Sequence, residues 1–277
     1  MLSSEHERKD CASMDETLSS LVARAFTGNQ RPLEFYLREQ SRLPGTRANL
    51  ELVSRLSNLL TAVVPEQPDQ VWMLLHYLVR DEKTVVSNTP DEFVVLCGVV
   101  AFGACATVRP EWRVEVFELL GDFACSSAWR VREGVAIAFQ RLLPVVPKET
   151  IEYLIELAAK GNCFQQRACV AAIAEPSLLH TPATIDAALT IQRLVLERLH
   201  ALPAAIRKHE DVRALRQGLG YTLSVVAAAT PEKGFALMRE CAGWGDPDVN
   251  WILRENLKKK RLAKYVEHAE KVSKLLA

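Results

Sequence analysis

Apolar residues recur at helical spacing throughout this 277-residue sequence, and prolines cut the pattern into short pieces. Ile151, Leu154, Ile155 and Ala158 fall on one face of a helix. Ile185, Leu189, Leu196 and Leu199 line another stripe, which Leu194 and Val195 widen. Pro32, Pro44, Pro68, Pro90, Pro110, Pro147, Pro203, Pro231 and Pro247 fall where such segments meet. Several follow a residue able to cap a helix, as in Thr89-Pro90-Asp91-Glu92 and Thr230-Pro231-Glu232. Asn-Gly and Asp-Gly hairpin turns are missing, and few stretches alternate with period two. The fold class expected is all-α, about fourteen helices joined by short loops.

A looser pattern repeats on top of the helical one. Arg132-Glu133-Gly134-Val135, Arg167-Ala168-Cys169-Val170, Arg216-Gln217-Gly218-Leu219 and Arg254-Glu255-Asn256-Leu257 each read arginine, variable, small or short polar, aliphatic. Arg47-Ala48-Asn49-Leu50 fits, and Leu96-Cys97-Gly98-Val99 fits except for the arginine. The expectation is six helical hairpins: 30–40 with 46–63, 68–80 with 90–107, 110–124 with 128–143, 147–159 with 162–174, 184–201 with 211–228, and 231–243 with 247–261. Each copy of the pattern then lies on a second helix, and 15–27 and 263–276 cap the ends. A small residue lets two helices approach closely, and the aliphatic after it fills the groove between neighbouring hairpins.

Asp211-Val212-Arg213, Val131-Arg132 and Asp246-Pro247-Asp248-Val249-Asn250 resemble the start of the second helix of HEAT repeats, where an acidic turn precedes Val-Arg. Asn250 stands where that arginine is usual, and the Val-Arg matches do not share a register with the arginine-small-aliphatic ones. The resemblance covers roughly residues 30–261. It implies a right-handed α-solenoid of about six HEAT-like hairpins, a single domain over 15–277; residues 1–14 read by themselves as a disordered tail, with either Met1 or Met14 beginning the functional chain.

Lysine plus arginine equals aspartate plus glutamate at 34 each, which argues against a protein acting mainly on phosphate backbones but allows a local basic patch. Cys11, Cys97, Cys105, Cys125, Cys163, Cys169 and Cys241 form no Cys-x-x-Cys pair and read as reduced, buried thiols of a cytoplasmic protein. The N-terminus lacks the basic and apolar regions of a signal peptide, and the apolar run 93–108 is too short to span a bilayer. It reads as a helix buried on nearly all sides.

Motifs for chemistry are missing: no P-loop, no dinucleotide glycine loop, no nucleophile elbow, no His-Glu-x-x-His. None of His6, His76, His180, His200, His209 and His268 stands three or four residues from another histidine or a cysteine, so neither a local metal site nor a cofactor is expected. His76 reads as a core or boundary histidine, and the acidic pairs Asp81-Glu82 and Asp91-Glu92 as helix-end charges.

The candidate partner-binding residues are Trp129, Arg130, Arg132, Arg167, Arg213, Arg216, Trp251, Arg254 and Lys258, all on second helices. The arginines could form a basic groove for phosphates or an acidic peptide. The alternative, favoured by the neutral chain, is a ladder of bonds to acids such as Asp122, Asp211, Asp246 and Asp248. Trp129 and Trp251 could be an exposed ledge, or could cover inter-repeat seams, the commoner use of tryptophan.

Stacked hairpins build extended binding surfaces, so the leading expectation is a non-catalytic scaffold or adaptor that binds another protein on its concave, second-helix surface. The second expectation is a nucleic-acid binder or glycosylase, because Trp129-Arg130-Val131-Arg132 and Trp251-Ile252-Leu253-Arg254-Glu255 resemble segments of HEAT-like DNA alkylation-repair glycosylases. That family's Trp-x-x-x-Asp catalytic segment has no convincing copy. A lyase or maturation factor of HEAT type is a third class, with no cysteine or histidine arguing for it. The run Lys258-Lys259-Lys260-Arg261 is expected in the last turn of the helix begun by Asp246-Pro247, as the solvated face of a capping repeat, with Glu255 paired to Lys259.

Overall fold

A computed structural model describes residues 16–276; the tail expected over 1–14, with His6, Cys11 and Met14, lies outside the described residues. Every regular element among the described residues is helical. The α-helices are α1 (16–26), α2 (Arg31–Glu39), α3 (Leu50–Val63), α4 (Pro68–Val79), α5 (Pro90–Ala106), α6 (Arg113–Phe123) and α7 (Trp129–Leu142). They continue as α8 (Pro147–Lys160), α9 (Cys163–Ile173), α10 (Pro182–His200), α11 (Glu210–Ala229), α12 (Pro231–Ala242), α13 (Pro247–Leu257) and α14 (Val266–Leu275). No described helix is long and apolar enough to cross a membrane. The chain divides into two compact units between Arg141 and Leu142.

Proline begins α4, α5, α8, α10, α12 and α13, where its missing N–H costs nothing because the first turn has no intrahelical acceptor. Side chains satisfy many of the remaining orphan donors. Thr89 Oγ1 accepts Glu92 N–H at 3.3 Å, Asn162 and Gln165 form a reciprocal capping box, and Asp246 Oδ1 accepts Asp248 and Val249 N–H at 2.9 and 3.1 Å.

In the first unit α5 is the core, with every residue from Glu92 to Ala106 buried. α2, α3, α4 and α6 pack on it. α7 completes the enclosure: a Cβ placed on Gly103 would stand 2.7 Å from Ala138 Cβ and 2.8 Å from the Ala138 carbonyl oxygen. The glycine is thus required by direct backbone approach. Trp72, His76, Phe102 and Trp112 form an aromatic cluster, with His76 edge-on to Trp72 at 4.8 Å and to Phe102 at 5.3 Å.

In the second unit the helices contact one another in two series. α8, α10, α12 and α14 pack consecutively, as do α9, α11 and α13, and α8–α9, α10–α11 and α12–α13 pack as pairs. Between α11 and α13 lies Asn256, fully buried. Its amide donates to Leu219 and Ile252 carbonyls at 2.8 Å each, and its oxygen accepts Ser224 N–H at 2.7 Å. The short polar residue here ties neighbouring helices by hydrogen bonds, where Gly134 does so by letting Leu96 approach.

Two local expectations are corrected. Arg47-Ala48-Asn49-Leu50 is not within a helix: Asn49 is the N-cap of α3, accepting Leu52 N–H at 3.2 Å. α13 ends at Leu257, because Lys259 turns extended and Lys260–Leu262 form a short 3-10 turn that buries Leu262. The basic run therefore straddles a helix end, and Glu255 pairs with Lys258 at 2.5 Å instead of Lys259.

Candidate protein-docking cleft

The cleft forms where the loop 41–49 lies beside the N-terminus of α7. Glu92, in the first turn of α5, accepts the backbone N–H of Asn88 at 2.7 Å and of Arg130 at 2.9 Å. Arg130 Nη1 returns to the same carboxylate at 3.1 Å, and its Nη2 reaches the Gly45 carbonyl at 2.7 Å. Asn88 Oδ1 accepts Gly45 N–H at 3.0 Å, so the loop tip is held from both sides. Asn88 adopts a φ of +64° to make this turn, a conformation asparagine tolerates better than most residues.

Next to that buried pair stands Trp129, 43% exposed, its backbone N–H bonded to Ser87 Oγ at 3.2 Å and its ring centre 4.6 Å from the Arg130 guanidinium carbon. With Leu50, Ala48, Leu96 and Ile137 it borders a cavity of about 450 Å³. Leu50 is 53% exposed. Of the charged lining, Glu51 pairs with Arg55 at 2.6 Å and Arg130 with Glu92, and Glu133 adds a second carboxylate to the wall. Arg42 and Arg47 have no carboxylate within ion-pair distance among the described residues. The cleft therefore offers apolar walls, one fixed aromatic edge and two open cationic side chains.

Most of the other arginines singled out in the sequence are engaged within the protein. Arg132 is buried and donates to the Ser126 and Ser127 carbonyls at 2.5 and 3.3 Å. Arg167 runs along α11, where a Cβ on Gly218 would meet its Cγ at 3.3 Å. Arg216 Nε lies 3.0 Å from Asp248 Oδ1, and its guanidinium sits 4.0 Å from the centre of the Trp251 ring. Trp251 rests on Gly220, covering the α11–α13 seam. Arg254 donates to the Leu276 carbonyl, and Lys258 pairs with Glu255. Arg213 alone of the set is exposed with no side-chain partner among the described residues.

The residue that sequence reasoning missed in this half is Arg207. Its Nη2 bonds Asp246 at 2.7 Å, and its Nη1 bonds Asp246 at 2.9 Å and Asp248 at 3.1 Å. His200, stacked on Trp244, adds a contact to Asp246 at 3.1 Å. Burial raises the Asp246 pKa, but hydrogen bonds from Arg207, Val249 and His200, with the Arg207 charge, overcome it and hold the carboxyl at about 2. The cap signal at Asp246 was legible; nothing local marked Arg207 as its partner.

Trp244 and Asp248 do carry the Trp-x-x-x-Asp spacing, which the sequence reading passed over. Asp248 is engaged by both Arg207 and Arg216, and Trp244 is stacked on His200. Among the described residues no three histidine, cysteine or acidic side chains converge to hold a metal ion. No protein-family model matches the chain, and no curated protein matches it.

Proposed function

We propose that this protein is a non-catalytic adaptor, a right-handed α-solenoid of HEAT-like hairpins, that binds a protein partner. The docking element is the Trp129 cleft, and the partner segment carries a bulky apolar residue beside an acidic one. The observation that carries this reading is Trp129: a half-exposed indole under the Arg130 guanidinium, its backbone held by Ser87, at the edge of an apolar cavity with Arg42 and Arg47 open beside it. Rigid exposed aromatics with an arginine nearby are the usual energetic centres of protein interfaces. The consecutive packing of α8, α10, α12 and α14, and of α9, α11 and α13, supports the solenoid. The buried free thiols of Cys97, Cys105, Cys163, Cys169 and Cys241 support assignment to the cytoplasm.

A nucleic-acid groove would draw on Arg130, Arg132, Arg216 and Arg254, and each is already bonded within the protein. Selection from a displayed random-peptide library separates the two readings. Enriched peptides should combine an acid with Trp, Phe or Leu, and Trp129→Ala should weaken them about tenfold or more, with Arg42→Glu/Arg47→Glu doing the same. No enrichment, together with duplex binding that falls steeply with salt, would overturn the proposal in favour of nucleic acid.

A further inference from the structure

The geometry points to a second site, in the other unit and independent of the docking cleft, for a small anionic amphiphile: one anionic head on an aliphatic body. Its floor is a single face of α11. Val225, Ala228 and Ala229 line it, and Tyr221, four residues before Val225, continues the same stripe beyond the cavity. Pro176 and Leu179 continue the apolar surface, and the cavity above it measures about 590 Å³, within the size range of small-molecule sites.

The rim is cationic because of how α13 ends. Leu262 is buried, and this anchor draws Lys259, Lys260 and Arg261 over the α11 stripe, where all three line the cavity. Tyr221, 46% exposed, orients two of them. Arg261 Nη2 donates to its hydroxyl at 2.6 Å with the guanidinium carbon 4.6 Å from the ring centre, and Lys259 Nζ lies 5.9 Å from the same centre. None of Lys259, Lys260, Arg261 and nearby Lys264 has a carboxylate within ion-pair distance among the described residues. The nearest basic neighbour in sequence, Lys258, is already paired with Glu255.

Other arginines of the protein have a carboxylate partner: Arg216 has Asp248, Arg193 has Glu240 and Arg80 has Glu34. Here positive charge accumulates at the edge of an apolar hollow with no carboxylate paired to it among the described residues. A carboxylate or phosphate head would meet the rim, and its alkyl body would cover the α11 stripe. Oriented side chains lose less freedom on binding, so the Tyr221 contacts favour a defined pose.

The test is calorimetric titration of the full chain below micellar concentrations. The probes are decanoate and decyl phosphate, decanol as the neutral body, acetate and inorganic phosphate as heads alone, and vesicles of phosphatidylglycerol or phosphatidylcholine. Saturable one-to-one binding is expected for decanoate or decyl phosphate, about tenfold weaker for decanol and for the heads alone. The charge reversal K260E/R261E and the filling variant A229W, both at solvent-facing positions, should each weaken it about tenfold, and W129A should leave it unchanged. If one variant fails to fold by circular dichroism, the other decides. The inference is overturned if neither amphiphile saturates, if a head alone binds as tightly, or if a folded variant binds unchanged. It is also overturned if only phosphatidylglycerol vesicles bind, which would make the patch a membrane surface.

Discussion

Arg130 and Glu92 meet in the interior with side chains 6% and 0% exposed, and they join the loop 41–49 to the ends of α5 and α7. The carboxylate also takes two backbone N–H groups, so it is fully engaged only while the guanidinium supplies the counter-charge. Arg130→Ala would leave that charge buried and release Gly45, and should lower unfolding stability by about 3–5 kcal/mol. In urea denaturation the double variant Glu92→Gln/Arg130→Ala should recover part of the loss, because the stranded charge is gone. Equal losses in single and double variants would sink this account.

Asp246 predicts a pH dependence. Its folded pKa of about 2 lies below the ordinary 3.8, so the group stabilises the fold above its unfolded pKa. That contribution, on the order of 2 kcal/mol, is lost as pH falls from about 4 through about 2. Asp246→Asn should therefore be less stable than the parent at neutral pH, with the difference shrinking in acid. A gap that stays constant from pH 7 to pH 2.5 would show that the carboxylate's charge is not what matters there.

The helices were legible because proline at first positions and Thr, Asn or Asp before them are local signals. Who pairs with whom was not. Asp91 and Glu92 look alike in sequence, yet Asp91 sits at the surface beside Arg38 while Glu92 is wholly enclosed. Only the packing of α7 and the loop 41–49 distinguishes them. Likewise Lys258–Arg261 continues α13 well by propensity alone; burial of Leu262, a tertiary effect, ends the helix at Leu257. The cysteines were read as buried, which fails at Cys125, in the exposed turn after α6.

Two helical glycines should respond differently to alanine. At Gly103 the new Cβ would meet the Ala138 backbone at 2.8–2.9 Å, which cannot yield without moving α7, so Gly103→Ala should cost about 1–3 kcal/mol. At Gly218 the nearest atom is Arg167 Cγ at 3.3 Å, on a flexible side chain. Gly218→Ala gains helix propensity, up to about 1 kcal/mol, which offsets the small shift. Thermal melts should separate the two clearly.

Thiol chemistry gives the last prediction. Burial pushes the thiols of Cys105 and Cys241 up to about 12 and, with the Asp211 charge adding to burial, that of Cys163 to about 11; burial alone raises those of Cys97 and Cys169 further. Thiolate is the reacting form, so these five should be nearly inert to a disulfide reagent at pH 8 in the folded protein. Cys125 is exposed and should react fast, and Cys125→Ser should abolish one fast equivalent without changing the slow phase. The slow phase should then follow the unfolding rate as denaturant rises, since the buried sulfurs become available only when their helices separate. Fast modification of a second described cysteine in native buffer would mean that the packing around it opens far more readily than its burial implies.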